Sequence, residues 1–256
     1  MIVGAWTFTH FYQIAPTLLV LVIVSILAAK ALGKQKQSKK YIPLQIIAVL
    51  LLVLEVAKQI NAITADGVYD LYALPFHYCS LFLYLLPLHA FYRGKYKHIT
   101  DAATFGCLAS LTLLMLLMPA IIYSEESIKG FFISFGDFHT VIFHHLVILY
   151  FMLTVALKLY ELRTKHDLVV MSVFLAVYVS IATVLSYALK VNFHNLYRCN
   201  IPFVEELRLA VIARIGTWGS VLYVSILFVL TILFAAASYF LARLVIKALH
   251  RLAHTA

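Results

Sequence analysis

The chain has 256 residues, of which 64% are hydrophobic and 12% charged, against roughly 25% charged in a soluble domain. That supply cannot cover a water-facing surface. It excludes a soluble enzyme, a disordered regulator and a nucleic-acid-binding domain, and it leaves an all-α polytopic transmembrane helical bundle, a single integral membrane domain over 1–256. The net charge of +9 therefore matters through its distribution along the chain more than through its sum.

A hydrocarbon core about 30 Å thick needs roughly 20 apolar residues of helix, since each residue advances 1.5 Å. Seven stretches meet that length, near 11–32, 42–60, 71–91, 102–123, 138–159, 168–189 and 218–246. The last is long enough to begin or end outside the hydrocarbon. No basic residue precedes the first stretch and a lysine cluster follows it, the pattern of a reverse-oriented anchor and not of a cleaved signal. Alternate loops differ sharply in charge. Lys30, Lys34, Lys36, Lys39, Lys40, Arg93, Lys95, Lys97, Lys158, Arg163, Lys165, Arg243, Lys247 and Arg251 share one side, fourteen of the twenty basic residues. Lysine and arginine stay preferentially in the cytoplasm, so the amino terminus is expected outside and the carboxyl terminus inside a cell membrane, with the basic loops near anionic headgroups. The longest polar connection, Lys190 to Thr217, falls outside, and no repeat, linker or soluble domain is evident.

Ionisable groups within spans are costly and mark sites. On the third stretch His77 and Cys79 lie about 9 to 12 Å from the outer end, and His144 and His145 lie about as deep on the fifth. Glu55 is about 7 Å from the outer end of the second, with Lys58 as its local partner at spacing i to i+3. Asn192 and His194 follow the outer end of the sixth. Together they predict a polar pocket open toward the outer leaflet. A lone intramembrane histidine more often bonds helix to helix; several at matched depth on different helices point to a site. His89, His98, His166, His250 and His254 fall at or beyond cytoplasmic helix ends, where water and headgroups satisfy them.

Three cysteines without a CxxC imply neither a disulfide framework nor a zinc site. Cys107 reads as a small core residue and Cys199 as a loop residue. Cys79 differs, because Leu74-Pro75-Phe76-His77-Tyr78-Cys79 puts it just after a proline that is best tolerated in a first helical turn. Free amides and the positive dipole end of such a turn favour a thiolate, and burial opposes it. His77, two residues away, projects to nearly the opposite side of a helix, so a base for the thiol is expected from the fifth stretch. His144 and His145 are about 100° apart, so at most one should face Cys79. His139, His144 and His145 lack the i to i+4 pair of a helical zinc site. Haem ligation by two histidines at matched depth is also compatible with the sequence, but no metal or cofactor is expected.

The Leu74-to-Cys79 segment resembles the Leu-Pro-x-His-x-Cys signature of the YwaF family of bacterial integral membrane proteins, related to the eukaryotic transmembrane protein 164. Phe143-His144-His145 is similar to the family's histidine-bearing helix. Asn192-Phe193 with Leu196, Pro202 and Gly216-Thr217-Trp218 is similar to its outer loop, with Phe193 where tyrosine is usual. The resemblance implies a lipid acyltransferase that moves an acyl chain between phospholipid and lysophospholipid through a thioester on Cys79. His145 would be the base and His144 the alternative, with His77, Asn192 or Glu55 as oxyanion or orienting groups. Membrane lipids are then the partners and nucleic acid is not. The runner-up is a transporter or a lipid- or small-molecule-binding protein using the same pocket without covalent chemistry, marked by discontinuous helices or an inverted repeat.

Overall fold

The computed structural model describes residues 6–64 and 67–255, and among them there are helices and no strand. Eight principal helices follow in order. They are α1 (Phe8–Leu32), α2 (Ile42–Thr64), α3 (Phe82–Phe91), α4 (Lys97–Leu117), α5 (Phe135–Ala156), α6 (Thr164–Leu189), α7 (Pro202–Ile215) and α8 (Thr217–Thr255). Shorter turns lie at Gln37–Lys40, Pro119–Ile122 and Glu125–Lys129. Six of the seven predicted stretches are helices long and apolar enough to cross a membrane, in Phe8–Leu32, Gln37–Thr64, Lys97–Leu117, Phe135–Ala156, Thr164–Leu189 and Thr217–Leu249. Helices α4 and α5 are central, and α1 and α8 are the most peripheral. Their exposed aliphatic faces are those of helices whose neighbours include lipid.

The seventh, expected as a continuous helix over 71–91, is not one. It is helical only from Tyr78, with four residues of 3-10 turn leading into the ten of α3, about 21 Å in all. Ahead of it Leu71–Ala73 forms one turn, Leu74 is extended at φ −57° and ψ 142°, and His77 is extended at φ −74° and ψ 160°. Pro75 explains the break: it pushes the residue before it out of the helical region and offers no amide to continue a helix through it. The helix begins three residues after Pro75.

This strap, residues 69–77, has backbone groups that a helix would satisfy internally, and side chains from three helices meet them. Gln59 on α2 donates to the Ala73 carbonyl at 2.8 Å and accepts from the Tyr69 hydroxyl. Tyr178 on α6 donates to the His77 carbonyl at 2.8 Å, and Tyr84 on α3 to the Pro75 carbonyl at 3.3 Å. Irregular backbone at membrane depth is tolerated only where protein buries it or where it lines a cavity, and here Tyr72, Ala73 and His77 line one.

At the other end of the bundle, the Arg93 guanidinium sits 3.7 Å from the Tyr41 ring centroid and Gln45 donates to the Ala90 carbonyl. His89 is fully buried there, between the Tyr150 hydroxyl at 2.6 Å and Asp101 at 3.3 Å. Protein and not water satisfies it, contrary to expectation. The His98 and His166 rings pack against each other at a tilt of 44° at the same end. The side chains of His250 and His254 lie outside the described residues.

Candidate functional site

Where the strap turns into the helix, a cavity of about 700 Å³ opens between α2, α4, α5 and the 192–201 loop. Of the residues singled out in the sequence, Cys79, His77, Glu55, Asn192 and His144 line it. His145 does not; it lines a separate cavity on another face of α5. The 100° step between the two adjacent histidines divides them between two spaces.

Cys79 is the second residue of the 3-10 turn, and His77 precedes that turn as its cap. It stands in the first turn of the interrupted helix, where backbone amides have no intrahelical carbonyl to bond. Across the cavity, His139, Thr140, Phe143 and His144 of α5 line the same space as Cys79.

His144 is 7% exposed, and its Nδ1 lies 2.6 Å from the Thr140 carbonyl. A carbonyl can only accept, so Nδ1 carries the proton and Nε2 is the free lone pair. The backbone thus holds this imidazole in the tautomer and orientation of a base. His139, which the sequence suggested only as a metal ligand too far from its partners, also lines the cavity and faces the Glu55 carboxylate at 3.7 Å. Glu55 is otherwise held by Lys58 at 2.8 Å, its expected partner, and by Gln59 at 2.6 Å. Its five-residue spacing from His144 turns it about 140° around α5, so helix geometry carried no signal that the two would line one cavity.

The remaining expected groups have local duties. His77 Nε2 donates to the Tyr72 carbonyl at 2.9 Å and its ring packs on Tyr72 and Phe193, which ties the strap together. Asn192 accepts from the Arg198 amide at 3.0 Å and donates to Asn195 and Asn200, closing the loop on itself. Neither Asn192 nor Glu55 bonds His144 or His145. His194 and Asn195 adopt φ 56° and 58°, a left-handed pair uncommon outside glycine. That turn lays the His194 ring against Tyr78 and Tyr178 in the cavity wall. Strain of this kind persists where surroundings over-determine it, which is typical of sites. Among the described residues no cluster of three or more His, Cys, Asp or Glu side chains is arranged to hold a metal ion.

The cavity therefore offers a thiol in a first helical turn, an oriented imidazole, a second imidazole beside a carboxylate, and a largely apolar wall from α4 and the 120–122 turn. No curated protein and no solved structure matches the chain. A family model described as the TMEM164 family matches residues 5–238, and this agrees with the relationship to transmembrane protein 164 drawn from the motif. With nearly the whole length matched and six helices of membrane-crossing length, the chain is a multi-pass membrane protein that belongs to the TMEM164 family.

Proposed function

We propose that this protein is a membrane-lipid acyltransferase in which Cys79 carries the acyl chain and His144 is the base. His144 Nε2 takes the Cys79 proton, and the sulfur adds to an ester carbonyl of a phospholipid. The tetrahedral adduct collapses, the ester C–O bond breaks, and the leaving lysolipid oxygen takes the proton back from the imidazolium. In the second half a lysolipid hydroxyl gives its proton to His144, attacks the thioester and releases the thiolate. First-turn amides at Tyr78 and Cys79 are the nearest donors for the oxyanion. Transfer beats hydrolysis only where water is kept from the thioester, and the apolar side of the cavity, from Leu111, Leu114, Ile121 and Ile122, is where an acyl chain would exclude it. His144 replaces His145 in this scheme because it, and not its neighbour, lines the same cavity as Cys79. That sharing is the observation that carries the reading.

The test uses purified protein in nanodiscs with isotope-labelled phospholipid and intact mass. An adduct of one acyl chain is expected, released by hydroxylamine, absent in Cys79→Ala and strongly reduced in His144→Ala. An adduct that persists in Cys79→Ala would end the nucleophile assignment.

One observation favours a second reading. Interrupted helices whose ends meet a ligand are a recurrent feature of transporters, and the third apolar stretch is interrupted at the cavity. A non-covalent lipid or small-molecule carrier would bind labelled phospholipid stoichiometrically in the same assay and form no adduct.

A further inference from the structure

On the other face of α5, between α1 and the Glu125–Lys129 turn, lies the second cavity, of about 490 Å³. Its walls are apolar, with Ile14 and Leu21 from α1 and Val141 and Leu146 from α5, and its mouth carries Phe132, which is 95% exposed. Gln13, Thr17 and Lys129 are polar and stand at its more exposed edge, and two polar side chains of the lining are buried. Tyr123 is 0% exposed and His145 7%.

Their bonding does not close. His145 Nδ1 lies 2.7 Å from the Val141 carbonyl and 3.2 Å from the Tyr123 hydroxyl. The carbonyl can only accept, so Nδ1 is protonated and donates to it. The Tyr123 hydroxyl proton then finds no acceptor on that nitrogen. His145 Nε2, a bare lone pair in this tautomer, is buried with no partner. The Tyr123 hydroxyl is thus a surplus donor and His145 Nε2 a surplus acceptor, on two side chains that line the same largely apolar cavity, and buried polar groups in native proteins rarely stay so. One chemical group answers both: a protonated carboxyl, whose O–H donates to Nε2 while its C=O accepts from Tyr123. A water could also do so, but at about 30 Å³ it leaves most of an apolar cavity unfilled.

We infer that this cavity binds a long-chain fatty acid, its protonated carboxyl bridging His145 and Tyr123 and its chain lying along Ile14, Leu21 and Leu146. The site is separate from Cys79 and does not depend on the acyltransferase reading. It also gives His145 a duty that explains why it turns away from the thiol.

A photoactivatable, alkyne-tagged palmitic acid tests the inference on the full chain in nanodiscs, with cross-links mapped by peptide mass spectrometry. Labelling is expected in residues 8–32 and 135–156 and unchanged in Cys79→Ala. Unlabelled palmitic acid should compete about tenfold better than methyl palmitate, which lacks the O–H, and Tyr123→Phe and His145→Leu should each weaken labelling about tenfold. Tyr123→Phe removes a single oxygen and keeps the test valid if His145→Leu does not fold. Equal competition by the ester, labelling unchanged in Tyr123→Phe, or cross-links spread evenly over all lipid-facing helices would overturn the proposal, the last as adventitious lipid only.

Discussion

Gln59→Leu should loosen the strap without unfolding the bundle. The substitution keeps an apolar side chain of similar length but removes the amide that donates to Glu55 and to the Ala73 carbonyl and accepts from Tyr69. Tyr69 is half-buried, so water replaces its lost acceptor at small cost. The Ala73 bond is a neutral one, about 1 kcal/mol net, whereas the bond to Glu55 lies within α2 and does not change when the strap opens, and Lys58 still holds that carboxylate at 2.8 Å. About 1 kcal/mol is equivalent to roughly a fivefold rise in the population of the opened strap. Hydrogen exchange on peptides covering 68–78 reads this directly, because the amides of Ala73, Leu74 and Phe76 are bonded within the segment. Their exchange should accelerate about fivefold while α4 and α5 stay as slow as in wild type. Unchanged exchange in the strap, or an equal acceleration throughout the central helices, would refute the reasoning.

Four further outcomes follow. His144→Ala should slow acylation of Cys79 by roughly 10²- to 10⁴-fold, the usual worth of a general base, while His145→Ala changes it by less than about threefold; single-turnover mass spectrometry separates the two. Gly106 on α4 has Met171 of α6 where a Cβ would stand, so Gly106→Val should overpack this interface by about 1 to 3 kcal/mol. Gly106→Ala should cost less, because Met171 can move; thermal melts in detergent rank the pair. His89→Leu should lower the melting temperature through the buried Tyr150 hydroxyl, which loses one of its two partners, and His89→Leu combined with Tyr150→Phe should recover part of the loss. The Arg208 guanidinium, 2.6 and 2.7 Å from Glu205, holds that carboxyl below the usual carboxylate range. A depressed acid stabilises above its unfolded value, about 4.3, and the contribution is lost as pH falls through the lower folded value. Exchange protection at the start of α7 should therefore fall as pH drops below about 4, and Glu205→Gln should abolish that pH dependence.

Much of the architecture was legible because the bilayer imposes a length and a polarity on every crossing element. Six apolar stretches needed nothing else to be recognised. The third misled because apolar length alone cannot distinguish a helix from a strap sealed by neighbouring side chains; Pro75 gave the warning, but Gln59 and Tyr178, distant in sequence, decide where the helix begins. The site was legible as a set of depths, since His77, Cys79, His144 and Glu55 do converge. Azimuth was not. Choosing between His144 and His145 requires knowing which face of α5 meets α1 and which meets the cavity, and adjacent residues carry no such mark. His139 was missed for the opposite reason: it was tested against a metal geometry and not as the partner of Glu55.

A half-length third helix has a consequence for how the protein is made. About 21 Å of helix cannot by itself bridge the lipid tails, and the preceding strap has open carbonyls that lipid would leave unbonded. This segment cannot be released singly into the bilayer during synthesis. Its carbonyls at Ala73 and His77 are met by Gln59 of α2 and Tyr178 of α6, so the strap leading to Cys79 is complete only after the chain has been extended a further hundred residues or so.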